Sequence, residues 1–185
     1  LADLGADVIK VESPAGDYIR EMTWPIIEGN SLLHLHINRG KKSLTLNPKN
    51  EEAVAIYLDL VRDADVVVEA MRPGSLARLG LGYDELRGVN PKIVFCNISG
   101  YGMTGPYKDL PSHGIAFDTW AGLVNPAYDE AGFCYISEHP SMGMHAGPLF
   151  GACGILAAVL RARESGAGCR LEIAQSDAAA YMDWY

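Results

Sequence analysis

The 185-residue sequence predicts an α/β fold, a Rossmann-like parallel sheet with crossover helices. Three observations predict it. Short apolar runs at residues 8–12, 43–46, 66–69 and 92–96 alternate with segments of helical periodicity, the pattern of parallel strands joined by crossovers. A glycine-rich stretch, Ile98-Ser99-Gly100-Tyr101-Gly102-Met103-Thr104-Gly105-Pro106-Tyr107, directly follows the run Ile93-Val94-Phe95. Loops leaving the carboxyl ends of strands are where open α/β sheets hold ligands. Small residues also crowd the segment 148–164 (Gly151, Ala152, Gly154, Ala157, Ala158), which requires close backbone packing against another element.

Each element has a local reason. Residues 1–4 read as the last turn of a helix capped by Gly5. The first strand, 8–12, is followed by a long irregular stretch, 13–35, of a length that tends to be functional. After the strand at 43–46, Asn47-Pro48 predicts a helix start, because asparagine caps and proline suits the first turn. Val54, Tyr57, Leu58 and Val61 then recur at helical spacing over 51–62. Residues 63–65 return the chain to the strand at 66–69. A short helix over 84–89 ends at Asn90-Pro91, before the strand at 92–96. Further helices are expected over 115–123 and 148–164. Gly166 and Gly168 stop the second of these, a strand follows at 170–173, and 178–185 is again helical in pattern. With no starting methionine and no stop signal at its end, the sequence reads as an internal fragment, truncated at both ends.

Composition narrows the function. A net charge of −8 argues against nucleic acid, which requires a basic face. The longest apolar run, 146–160, is cut short by Arg161 and Arg163, so no membrane span is expected, and no targeting segment is visible. Cys96, Cys134, Cys153 and Cys169 have no paired short spacing and read as free thiols in a reducing cytoplasm.

Several motifs are missing. There is no P-loop and no G-x-S-x-G elbow, and Gly80-Leu81-Gly82 lacks the third glycine of a dinucleotide fingerprint. His34 and His36 would share a face of an extended segment, but no carboxylate or cysteine lies near in sequence, so no metal site is expected. Cations are more informative. Arg72 and Arg78 flank the turn after the strand at 66–69, and Arg20, Lys41 and Lys42 follow or begin other strands. Cations gathered at one sheet edge suit a ligand bearing several phosphates, which arginine grips bidentately. The glycine-rich loop itself reads either as a ligand-binding loop or as an ordinary turn.

That loop resembles the SGFGxxGPY loop of the family III CoA-transferases, the group that includes carnitine-CoA and formyl-CoA transferases and α-methylacyl-CoA racemases. Other segments resemble the family in the same order: Leu4 to Glu12, the turn Asn38-Arg39-Gly40-Lys41-Lys42-Ser43, and Asp65 to Glu69 with Pro73-Gly74 and Leu79-Gly80. Gly154-Ile155-Leu156-Ala157-Ala158 and Gln175-Ser176-Asp177-Ala178 complete the series. The resemblance implies that residues 1–185 are part of the large, CoA-binding domain of an interlocked homodimer. It implies coenzyme A as a substrate, with no permanently bound cofactor, and contacts to it from Leu46, Ala70, Met71 and Arg78. Arg72 and Arg20 join these as neighbouring cations. Where the family carries an arginine for the adenine, this sequence has Ser13.

The catalytic position departs from the family. Its transferases use an aspartate between the glycine-rich loop and the G-I-L-A-A helix as nucleophile; the corresponding residue here is Met144 or His139, depending on the anchor chosen. Glu138 is the only carboxylate close by in sequence. His113 falls where the racemase branch has its base, although the aspartate that follows in that branch is Gly114 here. His139 and His145 lie in the same region. The implied function is transfer of CoA between an acyl-CoA and a carboxylic acid. A racemase using His113, and a catalytically silent CoA-binding homologue, are the alternatives.

Overall fold

A computed structural model describes residues 1–111, 113–136 and 138–183. The chain forms two compact units, Leu1–Asp59 and the residues from Leu60 onward.

The first unit opens with a 3₁₀ turn, Ala2–Leu4, closed by Gly5 at φ 92°, a left-handed conformation that glycine adopts without steric cost. Strands β1 (Val8–Glu12), β2 (Pro25–Ile27) and β3 (Asn30–Ser31) follow, then helix α1 (Leu32–Ile37), strand β4 (Lys41–Thr45) and the start of helix α2 (Glu51–Asp63). β1 and β4 pair in parallel, from Val8 opposite Lys41 to Glu12 opposite Thr45. The stretch 13–35 is therefore not irregular throughout. It holds a 3₁₀ turn at Tyr18–Glu21, the antiparallel β2–β3 hairpin and the start of α1. Ser31 ties these together: its Oγ accepts the His34 N–H at 3.0 Å and donates to the Ile19 carbonyl at 2.6 Å. Thr23 and Trp24 sit at φ 42° and 45°, a left-handed conformation costing roughly 1–2 kcal/mol per non-glycine residue.

Helix α2 starts at Asn50, not at Asn47-Pro48. The Asn50 carbonyl accepts the Val54 N–H at 3.0 Å and its Oδ1 accepts the Glu52 N–H at 2.8 Å, which makes it the cap. Asn47 instead closes a local turn onto the Lys49 N–H at 3.2 Å.

The second unit contains β5 (Val66–Glu69), α3 (Tyr83–Val89), β6 (Val94–Ser99), α4 (Ile115–Trp120), β7 (Ala127–Tyr128), β8 (Cys134–Tyr135), α5 (Met142–Ser165), β9 (Cys169–Ala174) and α6 (Gln175–Tyr181). Its main sheet is parallel, in the order β5-β6-β9. Among the described residues, the parallel strands thus form two sheets where the sequence suggested one. β6 is central and buried on both faces, which is why Val94, Phe95 and Cys96 form a continuous apolar run. It runs on to Ser99, beyond the expected end at Cys96, because β9 pairs with it as far as Ser99 opposite Ala174. The expected terminal helix over 178–185 is α6, which begins earlier; Trp184 and Tyr185 lie outside the described residues.

Helix α5 begins at Met142, six residues before the expected start, and Pro148 lies inside it. Proline there removes the N–H that would bond the Met144 carbonyl, a cost that packing offsets. The small face is the packing face. A Cβ on Gly143 would lie 3.0 Å from the Gln175 carbonyl, on Gly147 2.8 Å from Gln175 Cγ, and on Gly151 3.2 Å from Ile98 Cδ1. Ala158 and Ala162 continue the contact onto Val94, with Val66, Cys169 and Leu171 around them. With 24 residues, α5 is long and apolar enough to cross a membrane by length and composition, against the sequence expectation. Its glycine and alanine face lies instead on β6, β9 and α6.

Candidate active site

The site is assembled around Asp118, an acidic residue on the otherwise apolar turn Ile115-Ala116-Phe117 of α4. Its side chain has no exposed surface. Oδ1 accepts the Gly143 N–H at 2.7 Å; Oδ2 accepts the Met142 N–H at 2.7 Å and faces His139 Nε2 at 3.1 Å. A buried carboxylate is costly unless hydrogen-bonded, and here the first turn of α5 supplies both unpaired N–H groups and the positive end of a helix dipole. Ser141, the residue preceding the helix, makes no side-chain cap. Asp118 performs that task from another helix.

The pairing fixes His139. Both carboxylate oxygens already accept backbone N–H groups, so Nε2 is the donor toward Oδ2 and Nδ1 is the ring nitrogen turned away from Asp118.

The glycine-rich loop is fastened to the same helix. Tyr101 packs edge-on to Phe117 and Trp120, at 5.9 and 5.4 Å between ring centroids, and Tyr107 packs on Trp120 at 4.6 Å. The Gly100 carbonyl accepts the Ser176 N–H at 3.0 Å, and the Met103 N–H donates to Glu172. Gly102 at φ 87° and Gly105 at φ 79° make the turns that these contacts require.

The predicted residues distribute unevenly. His139 is brought to Asp118. Glu138 and His113 are exposed, and the His113 carbonyl accepts the Ala116 N–H at 3.1 Å at the start of α4. His145 is exposed in the early part of α5. Ala70, Met71 and Arg72 are exposed just after β5. Arg78 is held over the same turn, its Nη2 donating to Ser75 Oγ at 3.1 Å and its Nη1 to the Pro73 carbonyl at 3.4 Å. Beneath the turn, Glu69 accepts the Leu76 N–H at 3.1 Å and Asn97 Nδ2 at 2.6 Å. Asn97 Oδ1 in turn accepts Arg170 Nε at 3.0 Å. Burial pushes the Glu69 carboxyl above its usual range.

In the first unit, Arg20 commits Nε and Nη2 to Glu12 at 3.0 and 2.8 Å. That guanidinium holds the Glu12 carboxyl down at about 2. Leu46 follows β4, its N–H donating to the Glu12 carbonyl at 2.9 Å. His34 and His36 lie on α1, not on an extended segment, so two positions apart they point away from each other. Among the described residues no group of three metal-ligating side chains occurs.

Asp118 is the residue that sequence reasoning missed. Its one local signal is an acid among apolar residues at helical spacing; its partners lie more than 20 positions away.

The profile of CoA-transferase family III matches residues 1–184, and the chain belongs to that family. It is 35% identical to the acetyl-CoA:oxalate CoA-transferase of Acetobacter aceti over 96% of this chain and 46% of that protein. It is 32% identical to the succinyl-CoA–L-malate CoA-transferase beta subunit of Chloroflexus aurantiacus, over 94% of this chain and 43% of that one. Among solved structures it resembles a CAIB/BAIF family protein from Brucella suis, with a TM-score of 0.85 and 32% identity across 97% of this chain and 48% of the other. Rv3272 from Mycobacterium tuberculosis matches with a TM-score of 0.82 and 34% identity, across 97% and 49%. The chain therefore spans about half the length of these relatives.

Proposed function

We propose that the protein transfers CoA between an acyl-CoA thioester and a carboxylic acid. The observation that carries this reading is the match to relatives named as CoA-transferases over nearly the whole chain. Those names favour transfer over the racemase alternative. The reading makes CoA a substrate, bound near Ala70, Met71, Arg72 and Arg78. It makes residues 1–185 part of the large domain of an interlocked homodimer in the cytoplasm.

In this reading Glu138 attacks the thioester carbonyl, the C–S bond breaks, and a mixed anhydride forms as the CoA thiolate leaves. The thiolate then attacks the glutamyl carbonyl, releasing the donor carboxylate and leaving a glutamyl-CoA thioester. The acceptor carboxylate attacks that thioester and CoA thiolate leaves. The thiolate attacks the acceptor's acyl carbonyl in the new anhydride, to give the product acyl-CoA and free Glu138. His139, fixed through Nε2 by Asp118, presents Nδ1 as a hydrogen-bonding group beside that residue.

The test is exchange between labelled acyl-CoA donors and oxalate, malate, succinate or glutarate, followed by mass spectrometry. New acyl-CoA products are expected, with hydroxylamine trapping an adduct on the peptide containing Glu138. Exchange of the substrate's α-proton with solvent, without transfer, would overturn the reading.

A further inference from the structure

The β5-β6-β9 sheet carries a chain of polar side chains on the face opposite α5. Helix α5 lies over Val94 and Ile98, so alternation along β6 sends Asn97 to the other face. Glu69 is its registered neighbour on β5, and Arg170 reaches it from β9. Glu69 and Asn97 are 5% and 2% exposed, which keeps water from substituting for the bond between them.

Each link has a single orientation. Arg170 Nε only donates, so the Asn97 atom 3.0 Å from it is the oxygen, and the Asn97 NH₂ is turned to Glu69 at 2.6 Å. The Leu76 N–H, at 3.1 Å from Glu69, also only donates. Glu69 thus receives one donor on each carboxylate oxygen, a task that a carboxylate performs and an amide cannot. The bonds run from β9 through β6 and β5 into the turn that follows β5. That turn is wound by its own backbone, Ser75 N–H onto the Arg72 carbonyl and Arg78 N–H onto the Gly74 carbonyl, both at 3.0 Å. Its bond to Glu69 sets where the wound unit stands against the sheet.

We propose that Glu69, held by Asn97 and Arg170, is a positioning residue for CoA: it places the turn bearing Met71, Arg72 and Arg78 without touching the ligand. This rests on the reading of that turn as the CoA-binding one. A buried carboxylate is a costly way to close a turn, which an exposed hydroxyl or amide does at the surface. What the buried chain adds is a fixed spacing between the turn and β6, the strand from which the glycine-rich loop leaves.

The experiment compares Glu69→Gln with the double variant Glu69→Gln/Asn97→Asp in full-length protein, with circular dichroism confirming that each folds. In the single variant the new amide offers one oxygen to two donors that arrive on separate atoms, so a donor meets a donor. In the double variant the new amide donates to the new carboxylate, whose second oxygen still accepts Arg170 Nε, and the total charge is unchanged. Glu69→Gln is expected to raise the Kd for CoA and the KM for acyl-CoA about tenfold, with kcat per folded molecule and the KM for the carboxylate acceptor within about threefold. The double variant should recover most of the loss. Glu69→Asp, which keeps both acceptors but shortens the tether by one methylene, gives the same readout should Glu69→Gln not fold. A lower Tm with unchanged Kd and KM overturns the proposal, as does a double variant that binds CoA no better than the single one. Calorimetry reads CoA binding whether or not transfer occurs, and Arg78→Glu separates the two failures. If Arg78→Glu weakens binding and Glu69→Gln does not, the turn binds CoA and Glu69 does not position it. If neither weakens binding, the turn is not the CoA site and both readings fall.

Discussion

Asp118 Oδ2 lies 3.1 Å from His139 Nε2, although 21 positions separate the two residues. The same carboxylate closes the start of α5, so one buried group both begins a core helix and sets the proton arrangement of a histidine.

Asp118→Asn separates these two tasks. The amide keeps one acceptor but turns a donor toward either the Gly143 N–H or His139, leaving a buried group unpaired at about 1–3 kcal/mol. A lower Tm is expected, together with loss of transferase rate. The rate loss should exceed what the folded fraction explains, and the KM for CoA should stay within a few-fold. An unchanged rate per folded molecule would reduce Asp118 to a helix cap.

Glycines on two helices should respond in opposite directions to alanine. Gly143→Ala drives a methyl to 3.0 Å from the Gln175 carbonyl and 3.1 Å from Asp118 Oδ1; overpacking of that kind costs about 1–3 kcal/mol. Gly88, inside α3, has nothing within 4 Å of an added Cβ. Gly88→Ala should stabilise by about 0.5–1 kcal/mol. Urea melts of both variants check the signs.

Acid stability should depend on Glu12. Its folded pKa, about 2, lies below the usual glutamate value of 4.5 because of the Arg20 hydrogen bonds. Its contribution is therefore present above pH 4.5 and lost as pH falls toward 2, in total roughly 3 kcal/mol. Glu69 has the opposite sign. Burial raises its pKa, so its protonated form stabilises the fold at low pH and that contribution disappears as pH rises. Denaturation from pH 2 to 7 should show Glu12→Gln flattening the acid limb, and Glu69→Gln steepening the net loss of stability with falling pH.

Arg78→Glu should weaken CoA binding about tenfold or more, equivalent to about 1.4 kcal/mol. The side chain is exposed and its hydrogen bonds go to neutral groups at Ser75 and Pro73, but its charge also favours the Glu69 carboxylate, so circular dichroism should confirm that the variant folds. Calorimetry with full-length protein measures it; an unchanged affinity removes Arg78 from the CoA site.

Strands β1 and β5 were legible to the residue, because each is a short β-branched run bounded by an aspartate and a turn. Helix starts were less legible. Asn47 and Asn50 are both competent caps, and only the bond from Val54 to the Asn50 carbonyl decides between them. The start of α5 was hidden altogether, because its cap comes from α4 and no local pattern encodes a tertiary contact. The same reason hid half of the site. His139 was visible through the family resemblance; Asp118 became visible only when the chain folded back on itself.

Helix α5 meets Gln175 through two glycines, Gly143 at its carbonyl and Gly147 at its side-chain Cγ, and such a contact leaves little room to adjust by degrees. Where side chains interdigitate, lineages drift through compensating exchanges of size; at Gly143 and Gly147 any larger residue meets Gln175 at once. Divergence in this part of the molecule is therefore directed to surfaces with room to vary. The β7–β8 hairpin, with Tyr128 and Tyr135 66% and 51% exposed and Phe133 at its turn, is such a surface. Natural variation among relatives should accumulate there, while the start of α5 stays unchanged.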